Sequence, residues 1–133
     1  MRKIVLILSM FLLVGCNTAS VSNTLKPDVE KLREALRAYK VTLRWGEVVD
    51  VYAFLSPELK ERTTIPAGLE NIKVTDYEVL VPPSIDGEKA QQRVRVRYIH
   101  QDRQVVRSLM DHQLWTNHSE KGWVRSNPIP FFK

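Results

Sequence analysis

Apolar side chains in the first part of the chain recur at spacings of three and four residues, which is typical of one face of an α-helix. The pattern begins after Pro27, a residue that suits the first turn of a helix, and Gly46 follows its end. We therefore predict an amphipathic helix from Pro27 to about Trp45. Its buried stripe is predicted to be Val29, Leu32, Leu36, Tyr39 and Leu43.

Two shorter helices are predicted to follow. Residues 47–54 carry apolar positions that would face a core. Ser56 is then a good N-cap residue, and Pro57 and Glu58 suit a first helical turn, so a further helix is expected to about residue 62. Pro66 and Gly68 interrupt regular structure between residues 63 and 71.

From residue 72 onward the period changes from that of a helix to the period of two that is typical of strands. Strands are predicted over residues 72–81, 93–98, 105–116 and 123–126, with turns at 82–88, 101–103 and 117–122. Helices followed by antiparallel strands indicate an α+β domain over residues 27–133. In this domain the N-terminal helices would pack on a curved antiparallel sheet of four or more strands.

The residues before this domain have the pattern of a signal peptide. Arg2 and Lys3 precede an apolar run over residues 4–14, which is shorter than the roughly 20 residues needed to span a bilayer. The run ends in Leu13-Val14-Gly15-Cys16, which resembles the lipobox of bacterial lipoproteins. The resemblance implies that Cys16 carries a diacylglycerol on its sulfur and that cleavage removes residues 1–15. An ordinary secretory signal or an uncleaved N-terminal helix are the alternatives.

Residues 16–26 are predicted to be a lipidated cysteine followed by a flexible tether, because they are small, polar and without periodicity. Cys16 is the only cysteine, so no disulfide is expected. By analogy with proteobacterial sorting, Asn17 resembles the residue found at this place in outer-membrane lipoproteins. The predicted location is therefore the cell envelope, with the domain facing the periplasm and the membrane bound through the lipid anchor.

Composition limits the size and charge of the mature protein. Removal of residues 1–15 from the 133-residue chain leaves 118 residues, enough for one small domain with a hydrophobic core. The net charge of the full chain is +5, and Arg2 and Lys3 account for two of these charges. The remaining excess is mild and does not indicate nucleic-acid binding.

The order and lengths of the elements resemble the nuclear transport factor two-like (cystatin-like) fold. The resemblance rests on the helix ending in Leu43-Arg44-Trp45-Gly46-Glu47, the short helix over residues 48–55, and the strands over residues 72–125 with Gly122-Trp123 near their end. It implies a cone-like domain with a pocket between helices and sheet. Members of that family carry more strands than the four predicted here.

His112 is the candidate for chemistry in such a pocket. Enzymes of the resembled fold use an Asp, His or Tyr there as a general base. This implies an isomerase- or hydratase-like alternative, with Asp50 as a possible companion of His112. A single histidine on an apolar strand face is more often structural. The candidate ligand-binding residues are His112, Tyr52, Tyr77 and Tyr98.

The sequence contains no His-x-His pair, cysteine cluster or glycine-rich phosphate loop, so we expect no metal and no cofactor. The preferred hypothesis is a non-enzymatic, lipid-anchored binding or accessory module. It would contact a small apolar ligand or an envelope protein.

Two further groups of residues, a row of arginines and a pair of C-terminal phenylalanines, are predicted to form contacts within the domain. Arg93, Arg95 and Arg97 place three charges on one face of a strand, which could bind an acidic partner, lipid headgroups or a glycan phosphate. The preferred interpretation is structural, with Asp76, Glu78 or Asp111 opposing them as cross-strand counter-charges. Phe131 and Phe132 end a proline-containing segment that is predicted to dock on the domain's own core.

The lipobox interpretation predicts that Cys16→Ser abolishes incorporation of radiolabelled palmitate and releases the protein from the membrane fraction. Palmitate labelling is the decisive measurement, because an uncleaved signal peptide would also hold the chain in the membrane. A Cys16→Ser protein that still incorporates palmitate would contradict the interpretation. Ser9→Ala, which changes the apolar run but keeps the cysteine, serves as the control.

Overall fold

The computed structural model describes residues 27–133, so the predicted signal peptide, Cys16 and the tether lie outside the described residues. The described chain begins with helix α1, Pro27–Trp45, and continues with a 3₁₀ helix, η1, Val48–Phe54. Helix α2, Pro57–Arg62, and a second 3₁₀ helix, η2, Leu69–Asn71, complete the helical part. The predicted helix positions are confirmed, although the second is 3₁₀ rather than α-helical.

The second part of the chain is a four-stranded antiparallel sheet in the order β1-β2-β3-β4. The strands are β1, Ile72–Asp86, β2, Lys89–His100, β3, Val105–His118, and β4, Gly122–Arg125. The sheet is curved and does not close on itself, and the helices pack on its inner face. The predicted α+β class is confirmed.

The predicted turn over residues 82–88 is wrong, because β1 continues through both prolines and pairs with β2 as far as Asp86 opposite Lys89. Proline is tolerated here since β1 lies at the edge of the sheet, where a missing N–H costs no ladder bond. The turn itself contains only Gly87 and Glu88. Gly87 has φ 59°, which a type II′ hairpin requires at its first central position.

Helix α1 buries one stripe against the inner face of the sheet. A β-bulge between Val74 and Asp76 changes the strand phase, so that both Val74 and Tyr77 point inward. Trp123 on β4 donates a hydrogen bond from Nε1 to the carbonyl of Asp28 (3.0 Å), which ties the start of α1 to the last strand. The core also contains Leu32, Tyr39, Leu43, Val51, Val94, Val96 and Trp115.

The C-terminal segment, residues 126–133, folds back onto the domain. Phe132 is buried and packs edge-on against Tyr98, with ring centroids 5.0 Å apart. Phe131 remains 64% exposed. Docking of the segment on the core is therefore confirmed for Phe132 and wrong for Phe131.

A buried ion pair between Arg125 on β4 and Asp111 on β3 lies at the centre of the domain. The Arg125 guanidinium donates from Nη2 to Oδ1 of Asp111 (2.6 Å) and from Nη1 to Oδ2 (2.9 Å). Their side chains are 0% and 1% exposed. Nη1 also donates to the hydroxyl of Tyr39 on α1 (2.8 Å), and Nη2 to the carbonyl of Pro128 (2.9 Å). The expectation that Asp111 could oppose the arginines of β2 is wrong, because Asp111 points to the inner face.

A chain of polar side chains extends this pair across the sheet. Gln113 donates from Nε2 to Oδ2 of Asp111 (2.8 Å) and to the hydroxyl of Tyr77 (3.0 Å). Gln92 donates to Oε1 of Gln113 (2.8 Å) and to the same tyrosine hydroxyl (3.2 Å). Among the described residues, no buried side-chain nitrogen or oxygen lacks a hydrogen-bond partner. The polar interior is therefore fully paired, which is the condition under which burial of such groups is tolerated.

We expect Arg125→Met to lower the free energy of unfolding by about 3–5 kcal/mol, because it leaves the Asp111 carboxylate buried without its partner. The measurement is urea unfolding followed by tryptophan fluorescence. Arg95→Met is the matched control, since it removes an exposed ion pair and should cost no more than about 1 kcal/mol. Equal losses in the two variants would contradict a special role for the buried pair.

Candidate functional site

A cleft between η1 and α2 is the candidate site. Its volume is about 430 Å³, within the usual range for small-molecule sites. It brings together two residues named from the sequence, Asp50 and Tyr52. The remaining lining residues are Val49, Ala53, Leu55, Lys60, Thr63 and Ile65.

Local sequence holds the two walls of this cleft in place. Glu47 and Asp50 form a reciprocal capping box at the start of η1. The hydroxyl of Ser56 accepts the N–H of Leu59 (3.4 Å) and caps α2. The N–H of Ser56 donates to the carbonyl of Arg125 (2.8 Å), and Leu55 forms a parallel bridge with the same residue. The base of the cleft is thus fixed to the edge of the sheet at the buried ion pair.

The cleft combines apolar walls with three polar groups. Within residues 27–133 the hydroxyl of Tyr52 has no hydrogen-bond partner, and partial burial raises the pKa of this phenol. The Asp50 carboxylate accepts only the N–H of Glu47 (3.4 Å), and no ion pair joins it to Lys60 in the described part of the chain. This cleft can bind the apolar part of a small ligand. The Tyr52 hydroxyl, the Asp50 carboxylate and the Lys60 ammonium can then form hydrogen bonds or ion pairs with its polar groups.

The four candidate ligand-binding residues lie in four different places. Tyr52 lines the cleft, whereas Tyr77 is buried in the glutamine network. The hydroxyl of Tyr98 donates to the main-chain oxygen of Lys133 (3.1 Å) and accepts its N–H (3.0 Å). His112 is exposed on the outer face of the sheet, opposite Arg93. The structure therefore does not bring these four residues together in one site.

The position of His112 follows from the phase of β3. Asp111, Gln113 and Trp115 point inward, so the residues between them must point outward. The isomerase- or hydratase-like alternative placed His112 in an enclosed pocket with Asp50. The structure does not provide that geometry, because the histidine and the aspartate lie on different surfaces.

The arginines of β2 also lie on the outer face. Arg95 pairs with Glu78 (3.5 Å) and Arg97 with Asp76 (3.9 Å), which confirms the predicted cross-strand pairs for these two. Arg93 has no carboxylate partner among residues 27–133. Both pairs are well exposed, so each contributes at most about 1 kcal/mol.

Sequence reasoning missed Val49, Lys60 and Ile65 as cleft residues. A 3₁₀ helix superposes residues three apart, so Val49 and Tyr52 share one side of η1, and that spacing is the only sequence signal for the cleft. Nothing in the sequence links residues 60–65 to η1, since their approach depends on tertiary packing.

Within residues 27–133, no group of three or more metal-ligating side chains is close enough to hold a metal ion. The helices of this part of the chain include none with the length and apolar character needed to cross a membrane.

Comparisons with protein-family models, curated proteins and solved structures returned no match to this chain. The resemblances to bacterial lipoproteins and to the nuclear transport factor two-like fold therefore stay predictions from the sequence.

Burial raises the pKa of the Tyr77 phenol from 10.0 to about 12. Its proton is retained in the folded state while the unfolded chain loses it, so stability should fall as the pH rises from about 10 to about 12. Tyr77→Phe removes this contribution, so we expect a shallower loss of stability over that range, measured by urea unfolding at each pH. An unchanged slope would contradict the raised pKa.

Proposed function

We propose that this protein is a lipid-anchored binding module of the cell envelope that takes a small apolar ligand in the cleft between η1 and α2. The anchor is the lipidated Cys16, and residues 17–26 form the tether that separates the domain from the bilayer. Two or more acyl chains on one residue give stable attachment, whereas a single chain binds a membrane only marginally. Asn17 favours the outer membrane, with the domain in the periplasm.

The observation that carries the binding role is the free hydroxyl of Tyr52 inside a mostly apolar cleft. Elsewhere the domain pairs its interior polar groups with one another, through Arg125, Asp111 and the glutamines. In the cleft the Tyr52 hydroxyl lacks a hydrogen-bond partner among the described residues. Asp50 and Lys60 lie on opposite walls, and no ion pair joins them in the described part of the chain. A few convergent polar groups in an apolar concavity are typical of sites that bind and orient a small ligand.

The binding role is favoured over catalysis because His112, the candidate general base, lies apart from the titratable groups of the cleft. A general base must lie within hydrogen-bond reach of the proton that it removes and must be held in place by a further group. Asp50 in the cleft has no histidine beside it, and His112 is on the other face of the sheet. The role proposed is therefore binding or presentation of a ligand at the membrane.

To test this function, the full lipidated chain is extracted in mild detergent and analysed by native mass spectrometry. We expect the wild-type protein to retain a small molecule. Ala53→Trp should lose it, because the indole fills the cleft. Val41→Trp is the matched control, since Val41 is exposed on α1 and does not line the cleft.

Identical bound species in the two tryptophan variants would contradict the cleft as the binding site. Absence of any bound small molecule from the wild-type chain would contradict ligand binding itself.

A further inference from the structure

The two long edges of the sheet differ in how their backbone groups are covered. The free edge of β1 carries Pro82 and Pro83, which have no N–H, and it is interrupted by register shifts. Arg44 also donates from Nη1 to the carbonyl of Val74 (3.0 Å). Prolines, bulges and charged side chains are devices that prevent strand addition. The β1 edge is therefore protected against pairing with an added strand.

The edge of β3 is covered only in its second half. β4 pairs with residues 115–118 of β3 and then ends. Beyond the end of β4, the side chain of Asn127 pairs with the backbone of this edge. It accepts a hydrogen bond from the N–H of Leu114 (3.0 Å) and donates one to the carbonyl of His112 (2.6 Å). Ser126 donates its N–H to the carbonyl of Leu114 (2.8 Å).

These contacts identify which backbone groups face the uncovered half. The pairing of β2 with β3 is unbroken from residue 105 to residue 116, so groups two residues apart point the same way. Since His112 and Leu114 point to this edge, Val106, Ser108 and Met110 also do. No hydrogen bond to the N–H or C=O groups of these three residues occurs within residues 27–133. They form a ready template for an added strand.

The side chains along this open edge are Val106, Ser108 and Met110 on the outer face, and Val105, Arg107 and Leu109 on the inner face. Val106 is 69% exposed and Met110 47% exposed on the outer face. A groove of about 360 Å³ runs beside the edge on the inner face, where Arg107 and Lys133 meet apolar walls formed by Leu109 and Phe131.

The charges of the groove determine the kind of strand that fits. Neither Arg107 nor Lys133 is in an ion pair among the described residues. The main-chain oxygen of Lys133 accepts a hydrogen bond from the hydroxyl of Tyr98 (3.1 Å) and lies 2.7 Å from Nε2 of His100. The groove is therefore lined by two basic residues that have no carboxylate partner in the described chain.

We propose that the open edge of β3 binds an extended acidic segment of a partner protein as a fifth strand. Main-chain hydrogen bonds to Val106, Ser108 and Met110 hold the segment. Its acidic residues, at every second position, face Arg107 and Lys133, and the apolar residues between them cover the outer face. This combination of backbone affinity and alternate side-chain selection is the usual mode of strand addition.

A second copy of this chain fits the edge less well. Symmetric antiparallel pairing about Ser108 would set the two Arg107 side chains on one face at a diagonal separation of roughly 7–8 Å. Like charges at that position oppose association, whereas carboxylates on a partner strand favour it.

The test uses the full chain in detergent and a fluorescein-labelled hexapeptide of alternating Glu and Val, with the Lys-Val hexapeptide as the opposite-charge probe. We expect the acidic peptide to bind in fluorescence anisotropy and the basic peptide not to bind. Hydrogen exchange at single-residue resolution should slow by about tenfold or more at the amides of Val106, Ser108 and Met110. The amides of Arg107 and Leu109, which face β2, serve as internal controls.

Variants separate the backbone and charge contributions. Ser108→Pro removes one edge N–H and should abolish binding, whereas Ser108→Ala keeps the N–H and should bind as the wild type does. Arg107→Glu should weaken binding of the acidic peptide by about tenfold or more. Arg93→Glu is the matched control, because Arg93 is also without a carboxylate partner in the described chain but lies away from the groove. Thermal unfolding of each variant verifies that it is folded.

Three results would overturn the proposal. These are unchanged exchange of the edge amides at saturating acidic peptide, equal binding of the Lys-Val peptide, and equal loss of affinity in Arg93→Glu and Arg107→Glu. Protection of the edge amides without peptide, together with a doubled mass in sedimentation, would also overturn it and assign the edge to a second copy. If Ser108→Pro does not fold, the exchange pattern and the two arginine variants still decide.

Discussion

The guanidinium of Arg125 joins strand β3, helix α1 and the C-terminal segment at one buried point. It is bound by a carboxylate on β3, a phenol on α1 and carbonyl groups of the C-terminal segment. Burial by itself lowers the pKa of a guanidinium, but the hydrogen bonds that Arg125 donates to Asp111 and the charge interactions with Asp111 and two tyrosines together outweigh this effect, and the pKa of Arg125 is raised. The arginine therefore stays charged. Since an unpaired charge in this position would be costly, all its partners must be in place together.

This pair also determines where the domain has polar groups without a partner. The resemblance to a cone-like fold implied a pocket between helices and sheet, but that volume contains the network from Tyr39 through Asp111 to Tyr77. Every buried polar side chain described there is paired. Surfaces with unpaired polar groups therefore lie at the periphery, in the cleft beside η1 and along the open edge of β3.

The helices and strands were well predicted from the sequence because their hydrophobic patterns continue over many residues. The stripe of α1 recurs over five positions, and the alternation on β2 is uninterrupted. Where local chemistry and pairing conflict, pairing decides: Pro82 and Pro83 are turn residues by composition, yet they extend an edge strand. The candidate site was less predictable. Asp111 and His112 are neighbours with polar side chains on both faces of β3, and alternation alone does not tell which one points inward. Their assignment depends on Arg125, whose role no local pattern indicates.

The hydrogen bond from Trp123 to Asp28, like that from Arg125 to Tyr39, joins residues at opposite ends of the described chain. Such contacts close very long loops, and the entropy of loop closure is lost before the contacts compensate for it. Helix α1 consequently has no complete surface to pack on until β4 has formed. We therefore expect the first helix and the last strand to reach their native positions in the same step of folding.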